Sequence, residues 1–173
     1  HLITTLQSIE YVSSQDLKRA FQSTRQMITT LPGAGSAYRK VAVLAAGGFS
    51  PATRAEDTEL TLRLTLQNLR LVYCPHAVAH TEAPTTLRAL FRQRRRWNLG
   101  NMQAAGMHVG GTTRLNRNQA AGYLSLLLEN FLGPPIRCSL LLLAFVAISG
   151  SRFALYLACY GAIMTVYGSA TFA

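Results

Sequence analysis

The sequence predicts an α/β segment that leads through an amphipathic interfacial helix into transmembrane helices. Three observations carry that class. In the first hundred residues, short apolar runs bounded by Gly and Pro alternate with segments of helical period. Nearly all ionisable groups precede Asn118. Beyond it lie two apolar stretches, Ala121 to Ile148 (interrupted at Gly133-Pro134-Pro135) and Phe153 to Phe172, of the roughly 20 residues that cross a bilayer.

Composition narrows the partners. Of 173 residues, 49% are hydrophobic and 14% charged, against the roughly 25% charge of soluble domains. The formal charge of +10 comes from 17 Lys and Arg against 7 Asp and Glu. Such an excess raises nucleic acid as a partner. Here, however, the cations flank an apolar tail, as in cytoplasmic segments under the positive-inside rule. Nothing resembles an aromatic-studded recognition sheet or a Cys/His finger. Membrane lipid is therefore expected and nucleic acid is not. Cys74, Cys138 and Cys159 show no metal or redox spacing and read as buried, reduced thiols. The chain starts at His1, without a signal-peptide pattern, in what reads as the middle of a fold, so a piece of a longer protein is expected.

Taken in order, Ser13-Ser14-Gln15-Asp16 marks a helix start before Leu17, Ala20 and Phe21. Ile28 to Leu31 reads as a strand ended by Pro32-Gly33-Ala34-Gly35-Ser36, whose glycines permit a tight turn and close backbone approach. Val41 to Ala46 is a short helix stopped by Gly47-Gly48. Glu56-Asp57-Thr58-Glu59 opens a leucine-rich helix, where the dipole favours negative charge by roughly 0.3–1 kcal/mol. Ordinary capping accounts for such acids without any catalysis. Arg70 to Cys74 and Ala77 to His80 read as short strands around Pro75. His76 and His80 stand four apart with no third ligand nearby, which favours packing or surface histidines over zinc.

Thr85 to Gln103 has helical spacing and contains Gln93-Arg94-Arg95-Arg96-Trp97. Gln93, Arg96, Trp97 and Gly100 share one side of such a helix. An amide and a planar guanidinium suit a pyrophosphate, and the single indole of the chain suits the apolar face of a sugar. A basic helix resting on an anionic lipid surface explains the same residues without catalysis. Gly106 to Asn118 is a turn-like linker. Glu129 is costly inside a spanning segment. Either the first span starts after Pro135 or Glu129 lines a path.

The motifs occur in a telling order: Gly33 to Ser36, Gly47-Gly48-Phe49, Glu56-Asp57, then Gln93 thirty-six positions after the acid, then apolar spans. This resembles the membrane-bound family 2 processive glycosyltransferases, which include cellulose, hyaluronan, chitin and poly-N-acetylglucosamine synthases. Ala55 to Leu64 and His80 to Pro84 are similar to bacterial members, and the likeness runs from Leu6 to about Met102. It implies the C-terminal half of a GT-A glycosyltransferase domain over 1–105, with the interfacial helix at 85–103. A linker over 106–118 and a membrane region of about two transmembrane helices over 119–173 would follow.

The resemblance further implies Asp57 as general base toward the acceptor hydroxyl, with Glu56 positioning it. A helix N-terminus favours the negative charge such a base carries. Gln93, Arg94 and Arg96 would hold the nucleotide diphosphate, Trp97 the acceptor end, and the turn with Gly35 and Ser36 the acceptor side. With one candidate base and no second carboxylate as nucleophile, inversion is expected. The implied partners are a nucleotide-sugar donor of the UDP type, a glycan or lipid acceptor, and membrane lipids. The implied place is the inner cell membrane, multi-pass, with the catalytic part cytoplasmic. Mg²⁺ or Mn²⁺ is implied for the full-length enzyme, with ligands outside this chain, because none of its acids is spaced Asp-x-Asp. The chain alone is therefore expected to be inactive. Ala55 stands where the family has Thr. Two alternatives remain: a non-enzymatic membrane protein with a lipid-binding basic helix, and a single-addition lipid glycosyltransferase.

Overall fold

The structure, a computed structural model, describes residues 2–133 together with Ile136, Ser139 and Leu140. The rest of the stretch 134–148, all of 153–172, Cys138 and Cys159 lie outside them. Among the described residues no helix is long and apolar enough to cross a membrane.

Those residues form helices and loops. Helix α1 (Leu2–Glu10) continues through a π-helical turn (Tyr11–Asp16) into α2 (Leu17–Thr24), followed by α3 (Lys40–Ala45) and α4 (Glu56–Leu66). Helix α5 (Leu87–His108) runs into a 3₁₀ turn (Val109–Arg114), and α6 (Arg117–Phe131) follows. The expected helix start at Ser13 to Asp16 is overturned. Asp16 has helical φ and ψ of −73° and −52° and makes no side-chain cap, so the chain is already helical there.

Helix α4 is the centre. Its leucines alternate at Leu60, Leu62 and Leu64, a spacing that sends neighbours to opposite sides of a helix. Leu62 joins Ala104 and Ala105 of α5 and Tyr123 and Leu126 of α6. Leu60 and Leu64 join Ala46, with Ala42 and Val43 of α3 and with Tyr38 and Leu71 packed alongside. Burying each leucine contributes roughly 1.5–3 kcal/mol. An acidic first turn contributes roughly 0.3–1 kcal/mol in all but partly buried sites. Tertiary packing, rather than its ends, therefore holds α4. No side chain caps it, since Ala55 has no acceptor to offer.

The three expected strands do not form; among the described residues there is none. A strand needs a neighbouring backbone, and here side chains satisfy the backbone instead. The Leu31 N–H donates to Thr61 Oγ1 at 3.0 Å. The Tyr73 N–H donates to Ser23 Oγ at 2.9 Å. Ala77 to His80 packs as a loop over the glycine turn, with Ala79 against Gly35. Cys74, expected to be buried, is exposed for the same reason: its segment is a surface loop rather than a sheet strand.

The basic helix is longer than its motif. Thr86 caps it by accepting from the Ala89 N–H, and it continues through the glycine-containing stretch as far as His108. Helix α6 starts with a capping box between Asn116 and Gln119. It packs back on α5, with Gly122 close under Met27. Glu129 forms an exposed ion pair with Lys18 of α2, so at this position it meets protein rather than hydrocarbon.

Candidate active site

Asp57 sits in the first turn of α4, half-buried. Both its oxygens are held: Oδ1 accepts from the Thr58 N–H at 2.7 Å, and Oδ2 from the Gly33 N–H at 2.9 Å. The glycine turn thus reaches the acid through backbone. Gly35 has φ +79°, a left-handed value that suits glycine. A Cβ there would lie 2.7 Å from the Ala79 side chain. Ser36 Oγ donates to the Pro32 carbonyl at 2.5 Å, closing the turn on itself. Glu56 is exposed at the helix tip.

Two further residues face Asp57 electrostatically and were not legible in the sequence. Arg19 of α2 is half-buried; burial lowers its pKa, while the charges of Asp16, Asp57 and Tyr73 oppose that. Burial raises the Tyr38 phenol; the Ser36 hydroxyl lowers it and the Asp57 charge raises it further. Tyr38 also packs edge-on against Phe49, with ring centroids 5.9 Å apart. This seats the residue after Gly47-Gly48 beside the site.

Helix α5 supplies the other half. Arg94 is buried, pairs with Glu10 at 2.6 Å, and lies over the Trp97 ring at 4.6 Å and the Tyr11 ring at 5.6 Å. Its guanidinium is thus committed to protein contacts here. Gln93 has a buried Oε1 without a hydrogen-bond partner. Trp97 is half-buried, while Arg92, Arg95 and Arg96 are exposed.

What joins the halves is the segment Arg54 to Thr58. The Arg96 Nη1 donates to the Arg54 carbonyl at 3.0 Å, and Gln103 Oε1 accepts from the Arg54 N–H at 3.2 Å. Between these contacts Gly100 lies against Ala55, and the Thr58 hydroxyl donates to Asn101 Oδ1 at 2.8 Å. Residues 96, 100 and 103 recur at helical steps, so one edge of α5 grips the chain entering Asp57. Asp57 and the Gln93–Trp97 motif therefore belong to one packed unit. The i, i+4 and i, i+7 spacing of Arg96, Gly100 and Gln103 was a usable sequence signal, though it did not say what the edge would touch.

Glu59, only 1% exposed, is a separate matter. It accepts from Arg63 Nη2 at 2.7 Å and from His108 Nε2 at 2.9 Å. Arg63 also donates to the carbonyls of Ala46 and Gly48. This carboxylate braces the ends of α3 and α5 against α4. Among the described residues no three His, Cys, Asp or Glu side chains gather as a metal site.

The acid at the tip of α4 is thus fixed in one unit with the Gln-Arg-Arg-Arg-Trp helix. The model of the Glycosyl transferase family group 2 matches residues 2–170, and the chain belongs to that family. A domain of this family fits the α/β glycosyltransferase fold, of which the described residues contribute helices.

Similar proteins include a probable glycosyltransferase, YdaM, of Bacillus subtilis, 32% identical over 68% of this chain and 28% of its own length. Chitin synthase G of Aspergillus niger is 30% identical over 86% of this chain and 22% of its own length. Poly-beta-1,6-N-acetyl-D-glucosamine synthase of Staphylococcus aureus is 29% identical over 57% of this chain and 24% of its own length. The chain thus spans about a quarter of the length of these relatives. No solved structure matches it significantly.

Proposed function

We propose that the chain forms the acceptor-side part of an inverting glycosyltransferase that moves a sugar from a nucleotide-sugar donor to a growing polysaccharide. The synthase relatives favour a polymer over a single addition. The observation that carries the reading is the grip of Arg96, Gly100, Asn101 and Gln103 on Arg54 to Thr58. It holds the base and the diphosphate-binding motif at one fixed separation, which is what positioning catalysis requires.

In this reading Asp57, aimed by the Gly33 and Thr58 amides, takes the proton of an acceptor hydroxyl. The hydroxyl oxygen bonds to the anomeric carbon, and the bond to the donor diphosphate breaks, its electron pair leaving with the diphosphate. Gln93 and the arginines of α5 stabilise that leaving charge, the largest contribution in such preorganised sites. Arg94 would exchange Glu10 for the diphosphate or hold Trp97 in place for the acceptor ring. The family generally uses a divalent metal; among the described residues no cluster of side chains fits one.

The membrane setting is likewise part of the proposal. Leu124, Leu128 and Phe131 are exposed along α6 and Leu132 just after it, ahead of the apolar stretches that follow. In this reading Glu129, paired with Lys18, stays outside the bilayer, and a crossing would begin after Pro135 rather than at Ala121. The catalytic part then faces the cytoplasm, with lipid under the arginines of α5.

The test is turnover of radiolabelled UDP-glucose and UDP-N-acetylglucosamine by the full-length protein. Asp57→Asn and Trp97→Ala should each abolish transfer while leaving membrane association intact. A lipid-binding module would be indifferent to Asp57→Asn, and that result would overturn the proposal. Product length separates a polymerase from a single-addition enzyme. The 173-residue chain alone should transfer nothing.

A further inference from the structure

Three threonines of α4 behave differently. Thr61 and Thr65 donate back to the carbonyls one turn earlier, Asp57 at 2.6 Å and Thr61 at 2.9 Å, as helical threonines commonly do. Thr58 does not: the carbonyl four residues before it belongs to Arg54, outside the helix and accepting from Arg96. The residue is only 1% exposed, and its hydroxyl instead donates to Asn101 Oδ1 on α5.

The chain continues from there. Asn101 Nδ2 donates to Asn130 Oδ1 at 3.4 Å, and Asn130 Nδ2 donates to the Leu126 carbonyl at 2.7 Å. Asn98 Nδ2 adds a bond at 3.3 Å to the Asn130 carbonyl. A backbone carbonyl can only accept, so the orientation of each amide follows from the last link. Asn130 must present its NH₂ to Leu126. Asn101 must then present its NH₂ to Asn130 Oδ1 and its oxygen to Thr58. With its proton spent, Thr58 accepts from Thr30 Oγ1, 3.1 Å away. Hydrogen bonds arranged head to tail polarise one another and resist reversal.

This directed chain runs from Thr30 to the Leu126 carbonyl and passes beside one carboxylate. Thr58 is the residue after Asp57, and Thr30 lies on the segment leading to Gly33, whose N–H holds Asp57 Oδ2. We propose that Asn101 and Asn130 are positioning residues, which set the aim of the Asp57 carboxylate from α5 and α6 through Thr58 and Thr30. The proposal rests on Asp57 being the base. Neither asparagine touches the substrate; each acts only through the threonines.

The test compares Thr58→Val, Thr58→Ser, Asn101→Leu, the double variant Thr58→Val/Asn101→Leu, and Asp57→Asn in the full-length enzyme. Turnover is measured with UDP-glucose and UDP-N-acetylglucosamine, and thermal unfolding is followed in parallel. Misplacing a reacting group by about an ångström costs up to roughly 100-fold. Thr58→Val and Asn101→Leu should therefore lower kcat about 10- to 100-fold with donor KM within about twofold, while Thr58→Ser, which keeps the hydroxyl, retains kcat. The double variant should be no worse than the poorer single one, since both cut the same chain. If Asn101→Leu does not accumulate, the Val and Ser pair at position 58 decides alone.

Unchanged kcat in Thr58→Val, with Asp57→Asn inactive, overturns the positioning role and leaves the base intact. A fall in kcat only in proportion to lost folded protein does the same. Full turnover in Asp57→Asn removes the base assignment, and the positioning role goes with it.

Discussion

Gly100 of α5 packs so closely on Ala55 that a Cβ added to the glycine would lie 2.4 Å from the Ala55 nitrogen. It would also lie 2.7 Å from the Arg54 carbonyl carbon. These are backbone atoms, which cannot swing aside as a side-chain tip can. The absence of a side chain at this position is what lets α5 press on the segment that delivers Asp57.

Gly100→Ala is accordingly expected to destabilise the fold by roughly 1–3 kcal/mol, the range for overpacking, and to lower turnover. Gly106→Ala on the same helix is its control. Nothing lies within 4 Å of a Cβ there, and a helical Gly→Ala change stabilises by roughly 0.5–1 kcal/mol. Thermal unfolding of the two variants should diverge in sign. Equal stability would mean that α5 does not lie against Ala55 as described.

Glu59 presents a different liability. It is buried, with Arg63 and His108 both turned toward it, and Arg63 is mostly buried as well. Glu59→Leu removes the anion and leaves a buried guanidinium without its carboxylate. Breaking such a pair on one side costs roughly 3–5 kcal/mol. His108→Leu leaves the Arg63 bridge in place and should cost distinctly less. Denaturant midpoints at a common slope will rank them; an equal loss in both would put the brace on His108 instead.

Tyr38 predicts an alkaline limit. Its folded-state pKa is raised above the ordinary 10.0, chiefly by burial. The folded form thus holds the phenolic proton more tightly than the unfolded form. Its contribution to stability is complete below pH 10 and is lost as pH rises through the folded value. Tyr38→Phe, which has no proton to lose, should show a flatter decline in stability above pH 10 than the parent chain. Identical alkaline profiles would place the sensitive group elsewhere.

The helices were legible wherever a local rule was strong enough. Gly47 and Gly48, at φ +88° and +76°, stop α3 where their spelling suggested. The acidic turn opens α4, and the helical spacing read from Thr85 onward marks α5. Ser13 to Asp16 misled, since a capping pattern is only a preference and the flanking helix carries through it. The strands at 28–31, 70–74 and 77–80 misled because strand propensity describes a half-buried pleated surface. Whether a neighbour supplies the hydrogen bonds is not written in the segment itself.

By itself, the order of residues determined the chemistry on offer: an acid at a helix tip, a glycine turn, and an amide, arginines and an indole on a later helix. Residue types and short spacings encode those choices, because each depends on a few neighbouring positions. Only the tertiary structure decided who touches whom across forty residues or more. It put Arg94 on Glu10, Glu129 on Lys18, and Thr58 on Asn101, and it closed α5 on Arg54 and Ala55. Those pairings come from the shared burial of α4 between α3, α5 and α6, a property of the packed whole that no single stretch carries.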